Sequence, residues 1–388
     1  MIQGIFTVSD LRRCARRRLP KAVFDFIDGG AEGEFTLARN CLDFDSVELL
    51  PRVLKDVSHC DLSVSILGCA ARLPIAVAPT GLAALVWRHA DIALARAAHE
   101  TGIPLTVSAA SSVRLEHIRA AVPESRLWMQ VYLWKDRELI RSLVRRALSL
   151  DFEALVYTAD VPILGQRHRD LRNRFTVPLQ PNLKLAWDAC VCPRWSYHML
   201  RQGIPKMINL IDGTATDTRT ASLASVMMRN LNASNTWADL AWLRDLWPRK
   251  LLVKGIMSPL DANEAVSRGV DAIIVSNHGG RQLDFAASPL SVLASVVDTV
   301  KARCEVILDG GVRRGSDIAK ALALGAGAVM IGRATLFGVA SGGEAGARCA
   351  LSILESELQR TLVLMGCSAA SELDRAYLRT ASHLNSPS

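Results

Sequence analysis

Residues Ser276-Asn277-His278-Gly279-Gly280-Arg281-Gln282-Leu283-Asp284 combine a proton-exchanging group with an anion-binding one. Histidine is the side chain whose ordinary pKa lies nearest neutrality. Three positions on, Arg281 offers a planar two-pronged donor that suits a carboxylate. The glycines between them let the backbone turn sharply, or let something pack flat against it. The preceding run, Ala272-Ile273-Ile274-Val275, is apolar and β-branched and reads as a buried strand. A strand tip of this kind suits proton abstraction from a substrate that carries a carboxylate. A loop histidine beside a surface arginine is the plainer alternative.

Other residues extend that chemistry. Lys254 ends a second buried run; it suits either a Schiff-base lysine or a positive charge beside an electron-accepting ring. Asp160 ends another run and suits orienting His278 and stabilising its imidazolium form, against the simpler role of a buried Asp bonded to backbone. Arg167 suits joining Arg281 on a carboxylate, and Tyr132 suits donating its hydroxyl to a substrate. Asp309-Gly310-Gly311-Val312-Arg313-Arg314-Gly315 and Gly332-Arg333 are glycine- and arginine-rich. They suit phosphate binding through backbone N–H groups and a helix amino terminus; ordinary turns are the alternative. A phosphate site beside a proton-abstracting His points to a phosphorylated cofactor or substrate.

The elements that must position these residues form a rhythm beginning at Pro74. Apolar runs occur at 74–78, 104–108, 127–132, 154–158, 251–254, 272–276, 305–309 and 328–332. Helical patterns such as Asp91–Thr101, Asp136–Leu148, Pro259–Arg268 and Gly315–Leu324 lie between them. Alternating strand and helix implies a parallel sheet, and eight such units imply a closed (β/α)₈ TIM barrel. An open doubly wound sheet is the runner-up, but the first strand lacks a glycine-rich dinucleotide fingerprint. In a barrel, chemistry sits at the carboxyl ends of the strands. Those ends carry Thr80-Gly81, Ser108, Gln130 with Tyr132, Thr158 with Asp160, Lys254, Ser276 with His278, Asp309 with Gly311, and Gly332 with Arg333. Polar and titratable groups at every tip are the strongest argument for an enzyme.

The expected organisation is a single domain over 1–388. A helical cap spans 1–70, the barrel 74–175 and 236–370, and a long excursion 176–235 follows strand 4. Arg12, Arg13, Arg16, Arg17 and Arg18 on the first candidate helix read as a solvated face. In the excursion, Trp187, Trp195 and Tyr197 lie among Lys184, Arg194, His198, Arg201 and Lys206. That mixture suits a membrane–water interface; an active-site lid with buried tryptophans is the competing reading.

The chain has 388 residues, half of them hydrophobic, and a formal net charge of +8. The basic balance favours small anions, phosphates or an anionic membrane surface. No nucleic-acid motif accompanies it, so nucleic acid is not expected as a partner. Nine cysteines lie without a framework spacing, and Cys190-x-Cys192 is not a usual zinc or redox spacing, so no metal is expected. No signal pattern and no uncharged apolar run of about 18 residues is present, so the expected location is the cytoplasm with reduced thiols.

Ser276–Asp284 together with Asp309–Gly315 closely resembles the FMN-dependent (S)-2-hydroxy acid oxidase and dehydrogenase family, and the likeness runs from about Phe6 to Cys367. Trp237–Pro248 and Pro79–Leu82 carry a narrower likeness to its mandelate-oxidising branch. The resemblance implies FMN as cofactor and oxidation of a small (S)-2-hydroxy acid to the 2-oxo acid. His278 is then the base, taking a proton from the hydroxyl or from the α-carbon, and Asp160 its partner. Arg281, Arg167 and Tyr132 match substrate contacts. Lys254 matches the lysine facing the flavin N1 and O2 edge. Ser108, Gln130 and Thr158 match flavin-ring contacts, with Ser276 among the cofactor-binding set. Pro79, Thr80 and Gly81 match the segment beside N5, and Asp309 the ribityl contact. Gly311, Arg313, Gly332 and Arg333 match phosphate binders.

Three departures stand out. Phe26 occupies the place of a tyrosine that hydrogen-bonds the substrate carboxylate, a loss of about 1–3 kcal/mol that also suits a bulkier or more apolar substrate. His168 replaces a glutamate. Gly81 stands where the family's oxidases usually have alanine, which leans towards a quinone rather than oxygen as electron acceptor. The resemblance also implies a homotetramer, and the expected location extends to the inner face of the cell membrane. L-lactate oxidation, an oxygen-using oxidase, a Schiff-base aldolase on Lys254 and a catalytically degraded flavoprotein are the alternatives.

Overall fold

The computed structural model describes residues 4–175, 187–188, 190–203, 205–211 and 230–380. Eight parallel strands close into a barrel: β1 Ile75–Val77, β2 Leu105–Val107, β3 Leu127–Val131, β4 Ala154–Thr158, β5 Lys250–Ile256, β6 Ala272–Val275, β7 Glu305–Asp309 and β8 Ala328–Ile331. Each matches one apolar run of the sequence to within two residues. Closure is made where β8 pairs with β1, Met330 opposite Ala76. The strands are nearly continuous apolar runs because both faces are covered, by helices outside and side chains inside. Trp128, Leu252, Ile274, Ile307 and Met330 fill the barrel interior.

The helices between strands follow ordinary capping and amphipathic rules. α6 Arg137–Ser149 shows this; before it come α1 Val8–Arg18, α2 Lys21–Asp28, α3 Phe35–Asp45, α4 Ala90–Thr101 and α5 Leu115–Ala121. The Asp136 side chain accepts from the N–H groups of Glu138 and Leu139, and Leu139, Ile140, Leu143, Val144 and Ala147 face the core. Losing such a cap costs about 1 kcal/mol. After β4 comes the short α7 His168–Arg172, and after β8 a helical stretch, α8 Arg333–Leu364, kinked at Gly342 and Gly343. Ser341 on α8 donates to the Leu11 carbonyl at 3.0 Å, joining it to α1.

The amino-terminal segment differs in part from the all-helical expectation. α1 to α3 form a cap, but 47–71 contains short strands. Val64–Ile66 and Cys69–Ala71 make a hairpin that plugs the amino end of the barrel, where Ile66 and Leu67 pack with Trp128 and Ile307. No periodicity of 3.6 was available to such short segments. Within 176–235, Lys184 lies outside the described residues. Trp195 is not an interfacial side chain: it is 8% exposed and donates its indole N–H to the Leu85 carbonyl at 2.8 Å. Trp187 is 71% and Leu200 85% exposed.

Candidate active site

The carboxyl ends of the strands surround a cavity of about 630 Å³, within the range of a cofactor or ligand site. Of the residues singled out in the sequence, Phe26, Pro79, Thr80, Gly81, Ser108, Gln130, Tyr132, Thr158, Arg167, Lys254, His278, Arg281, Asp309, Gly311, Arg313, Gly332 and Arg333 line it. Asp160 and Ser276 stand just behind the lining.

Asp160 Oδ1 lies 2.9 Å from His278 Nδ1. With that nitrogen facing a carboxylate, Nε2 is the one left for chemistry. Burial pushes the Asp160 carboxyl up, but His278 and Lys254 outweigh it and hold it below its ordinary value. His278 itself has φ +59°, in the left-handed region, a backbone strain of about 1–3 kcal/mol that surrounding structure must hold. The following Gly280 has φ +72°, and a Cβ there would fall 2.6 Å from Leu37 N. The cap therefore packs directly on the loop: Ala31 N–H donates to the Gly280 carbonyl at 2.8 Å. Asp284 accepts from the N–H groups of Gly33 and Thr36, and Asn40 and Asn277 exchange hydrogen bonds.

Ser276 links two charges rather than lining the cavity. Its hydroxyl accepts from Lys254 Nζ at 2.6 Å and donates to Asp309 Oδ2 at 2.7 Å. Lys254 and Asp309 are also ion-paired at 2.6 Å. A lysine so engaged is not presented as a free amine nucleophile, which argues against Schiff-base chemistry. On the opposite wall, Gln130 joins three strand tips, accepting from the Ala109 N–H and donating to Thr158 Oγ1.

Arg281 and Arg333 are half-buried cations. Burial lowers the Arg281 pKa well below its ordinary value, and Arg167 and Arg333 push it the same way. Burial brings Arg333 down to about 10, with Arg313 adding repulsion. Arg281 donates to the Phe26 and Gly29 carbonyls at 2.7 and 3.1 Å. Arg333 donates to the carbonyls of Ile27, Gly279 and Gly29, so its donors fasten the cap to the catalytic loop. The Phe26 ring, parallel to Phe175 at 4.8 Å, has the Arg167 and Arg281 guanidinium groups 5.4 and 5.2 Å from its centroid. Burial raises the Tyr132 pKa, with the Asp160 charge acting in the same direction, so its hydroxyl stays a donor.

Two further residues had no role in the sequence reading. Gln282 donates to the Asp160 and Ile163 carbonyls and accepts from the Gly165 N–H, tying the β4 loop to the His278 loop. Asp170 faces Arg167. Its position three residues after Arg167, the N-cap of α7, was the available signal.

The site fits FMN. Apolar Ala78, Pro79 and Met330 offer a wall for a ring, Lys254 a fixed cation, and the Gly311, Arg313 and Gly332 end a place for phosphate. Gly311 has φ +82°, and a Cβ there would lie 1.9 Å from the Asn40 carbonyl oxygen, so only glycine permits this approach.

Fold and mouth together define a barrel enzyme built for a phosphorylated cofactor and a small anion. Residues 15–380 match the FMN-dependent dehydrogenase family. The chain is 44% identical over 382 residues to (S)-mandelate dehydrogenase of Pseudomonas putida, covering 98% of this chain and 95% of that one. It is 40% identical to a putative L-lactate dehydrogenase of Mycobacterium tuberculosis, covering 95% and 87%. The crystal structure of the monotopic membrane protein (S)-mandelate dehydrogenase superposes with a TM-score of 0.92 at 43% identity, covering 97% of this chain and all of that one. The chain belongs to the FMN-dependent dehydrogenase family, and FMN is its cofactor.

Proposed function

We propose that this enzyme oxidises an (S)-2-hydroxy acid, mandelate or another with an aromatic or apolar side chain, to the 2-oxo acid. The observation that supports it most is the His278–Asp160 pair beside Arg281 and Arg167 in one cavity. In this reading the two arginines hold the carboxylate and Tyr132 donates to the substrate. His278 takes the proton on Nε2, and Asp160 holds the imidazole and balances the imidazolium charge. Bound FMN supplies the two-electron acceptor. Lys254, fixed by Asp309 and Ser276, would face the cofactor, and Pro79, Thr80, Gly81, Ser108, Gln130 and Thr158 would surround its ring. Gly311, Arg313 and Gly332 would hold its phosphate. Phe26 offers an aromatic face in place of a hydrogen-bond donor, which favours an apolar substituent.

The test is a panel of (S)-2-hydroxy acids with an artificial electron acceptor on the FMN-loaded protein. Bleaching of the yellow chromophore by an aromatic 2-hydroxy acid is expected; no bleaching by any member sinks the reading.

The same proposal includes a single domain over 1–388, a membrane quinone as acceptor, a homotetramer and docking on the cytoplasmic face of an anionic membrane. Trp187, Val191, Tyr197 and Leu200 are exposed beside exposed Arg194, Arg201 and Lys206, and no helix among the described residues is long and apolar enough to cross a membrane. Co-sedimentation with phosphatidylglycerol vesicles is expected, and Trp187→Ser with Leu200→Ser weakens it; equal binding by that variant removes the segment from the docking surface.

A further inference from the structure

Asp170, on α7, places Oδ2 3.2 Å from Arg167 Nε. Its Oδ1 is buried and has no hydrogen-bond partner among the described residues, and the residue lines the cavity. The nearby charges on the cap have other partners. Arg169 pairs with Asp28 at 3.0 Å and with Glu34; Asp25 pairs with Lys21 and accepts from Asn173. Among the described residues, Arg167 has no other ionic partner, and Arg281 donates only to carbonyls. Among the described residues, Asp170 is thus the one carboxylate ion-paired to either of the two arginines assigned to the substrate.

We propose that Asp170 is the resident counter-anion of the carboxylate site: it holds Arg167 by its Nε edge and competes with the substrate carboxylate for the charge of Arg167 and Arg281. This rests on the reading that those arginines bind the carboxylate. Asp170 is a positioning residue. Its hold on Nε leaves the paired Nη groups to the incoming anion. Bringing a second carboxylate to the same cations sets two like charges against each other, and that repulsion limits how tightly substrate is held. Burial already pushes the Asp170 carboxyl above its ordinary value, opposed by Arg167 and Arg281, with Asp25 raising it and Arg169 lowering it. A bound carboxylate pushes it further the same way.

The test uses FMN-loaded protein titrated calorimetrically with oxalate, benzoate and phenylacetate, and with the uncharged benzamide and phenylacetamide. In Asp170→Asn the amide oxygen still accepts from Arg167 Nε but the charge is gone. Carboxylate dissociation constants are expected to fall roughly tenfold, with the amides unchanged. Asp170→Ala frees Arg167 and lowers kcat. If Asp170→Asn fails to retain FMN, Asp170→Ser gives the same readout. Carboxylates bound equally or more weakly by Asp170→Asn overturn the proposal. If Arg281→Met weakens carboxylate binding all the same, the carboxylate-site reading stands and only the counter-anion falls. If Arg281→Met changes nothing, or no anion binds any variant, both fall.

Discussion

The two ends of the barrel balance their charges differently. A shallow, open depression at the amino end is lined by Arg126, Arg244, Arg249 and Lys250 with Asp151, Glu153 and Asp271. There each cation meets a carboxylate: Arg126 with Glu153 at 2.6 Å, Arg249 with Asp151 at 2.6 Å, and Arg244 and Lys250 both with Asp271. At the carboxyl end, Arg281, Arg313 and Arg333 have no ion pair among the described residues, and their donors go to backbone carbonyls. Paired charges stitch strand ends together. A cluster left short of carboxylates is held against its own repulsion by the fold, and it is the cluster that attracts an anion.

The largest test of this contrast is His278→Ala at the mouth, expected to cost 10²–10⁴-fold in kcat while FMN absorbance is retained. Near wild-type turnover breaks the assignment. Next is Arg281→Met, which removes one charge-assisted contact to the carboxylate; a fall in kcat/KM of roughly 10- to 150-fold is expected, and the loss disappears for a 2-hydroxy amide. At the other end, Arg126→Met breaks bonds to Glu153 and to the hairpin carbonyls of Ile66, Cys69 and Ala70. A loss of about 2–4 kcal/mol in denaturant unfolding is expected, with kcat and KM unchanged in the folded enzyme. A changed KM means the ends are not independent.

The smallest effect belongs to Glu305, at the start of β7. Its Oε2 accepts from the Leu67 N–H at 2.7 Å, while Oε1 is buried without a partner among the described residues. Burial raises its pKa above 4.5. A raised carboxyl favours the folded state fully below the unfolded pKa, and that contribution is lost as pH rises through the folded value. Glu305→Gln is therefore expected to melt slightly higher than wild type at pH 7. The advantage should vanish below about pH 4, as read by thermal unfolding across pH.

The barrel and most of the mouth were legible in one dimension. Eight apolar runs, evenly spaced apart from the 176–235 excursion and carrying polar residues at or just past their ends, locate strand tips without any tertiary knowledge. What those tips contact was less legible. Ser276 looked like a cavity residue yet bridges Lys254 and Asp309, because alternation along a strand does not say how far a short side chain reaches. Trp195 suited an interface and instead anchors to Leu85; its neighbours' charges could not reveal a carbonyl supplied 110 residues earlier. Arg333 suited phosphate, but its donors go to two cap carbonyls, Ile27 and Gly29, and to that of Gly279 in the His278 loop.

From residue order alone came the periodicity, the strand ends and the chemical types placed on them, because those depend on local sterics and on which residues water expels. Tertiary structure decided which charges are matched and which are left over. That balance depends on distances between segments far apart in the chain: Asp170 reaches Arg167 within one helical turn, but Arg281 and Arg333 meet their carbonyls only when the cap closes on the barrel.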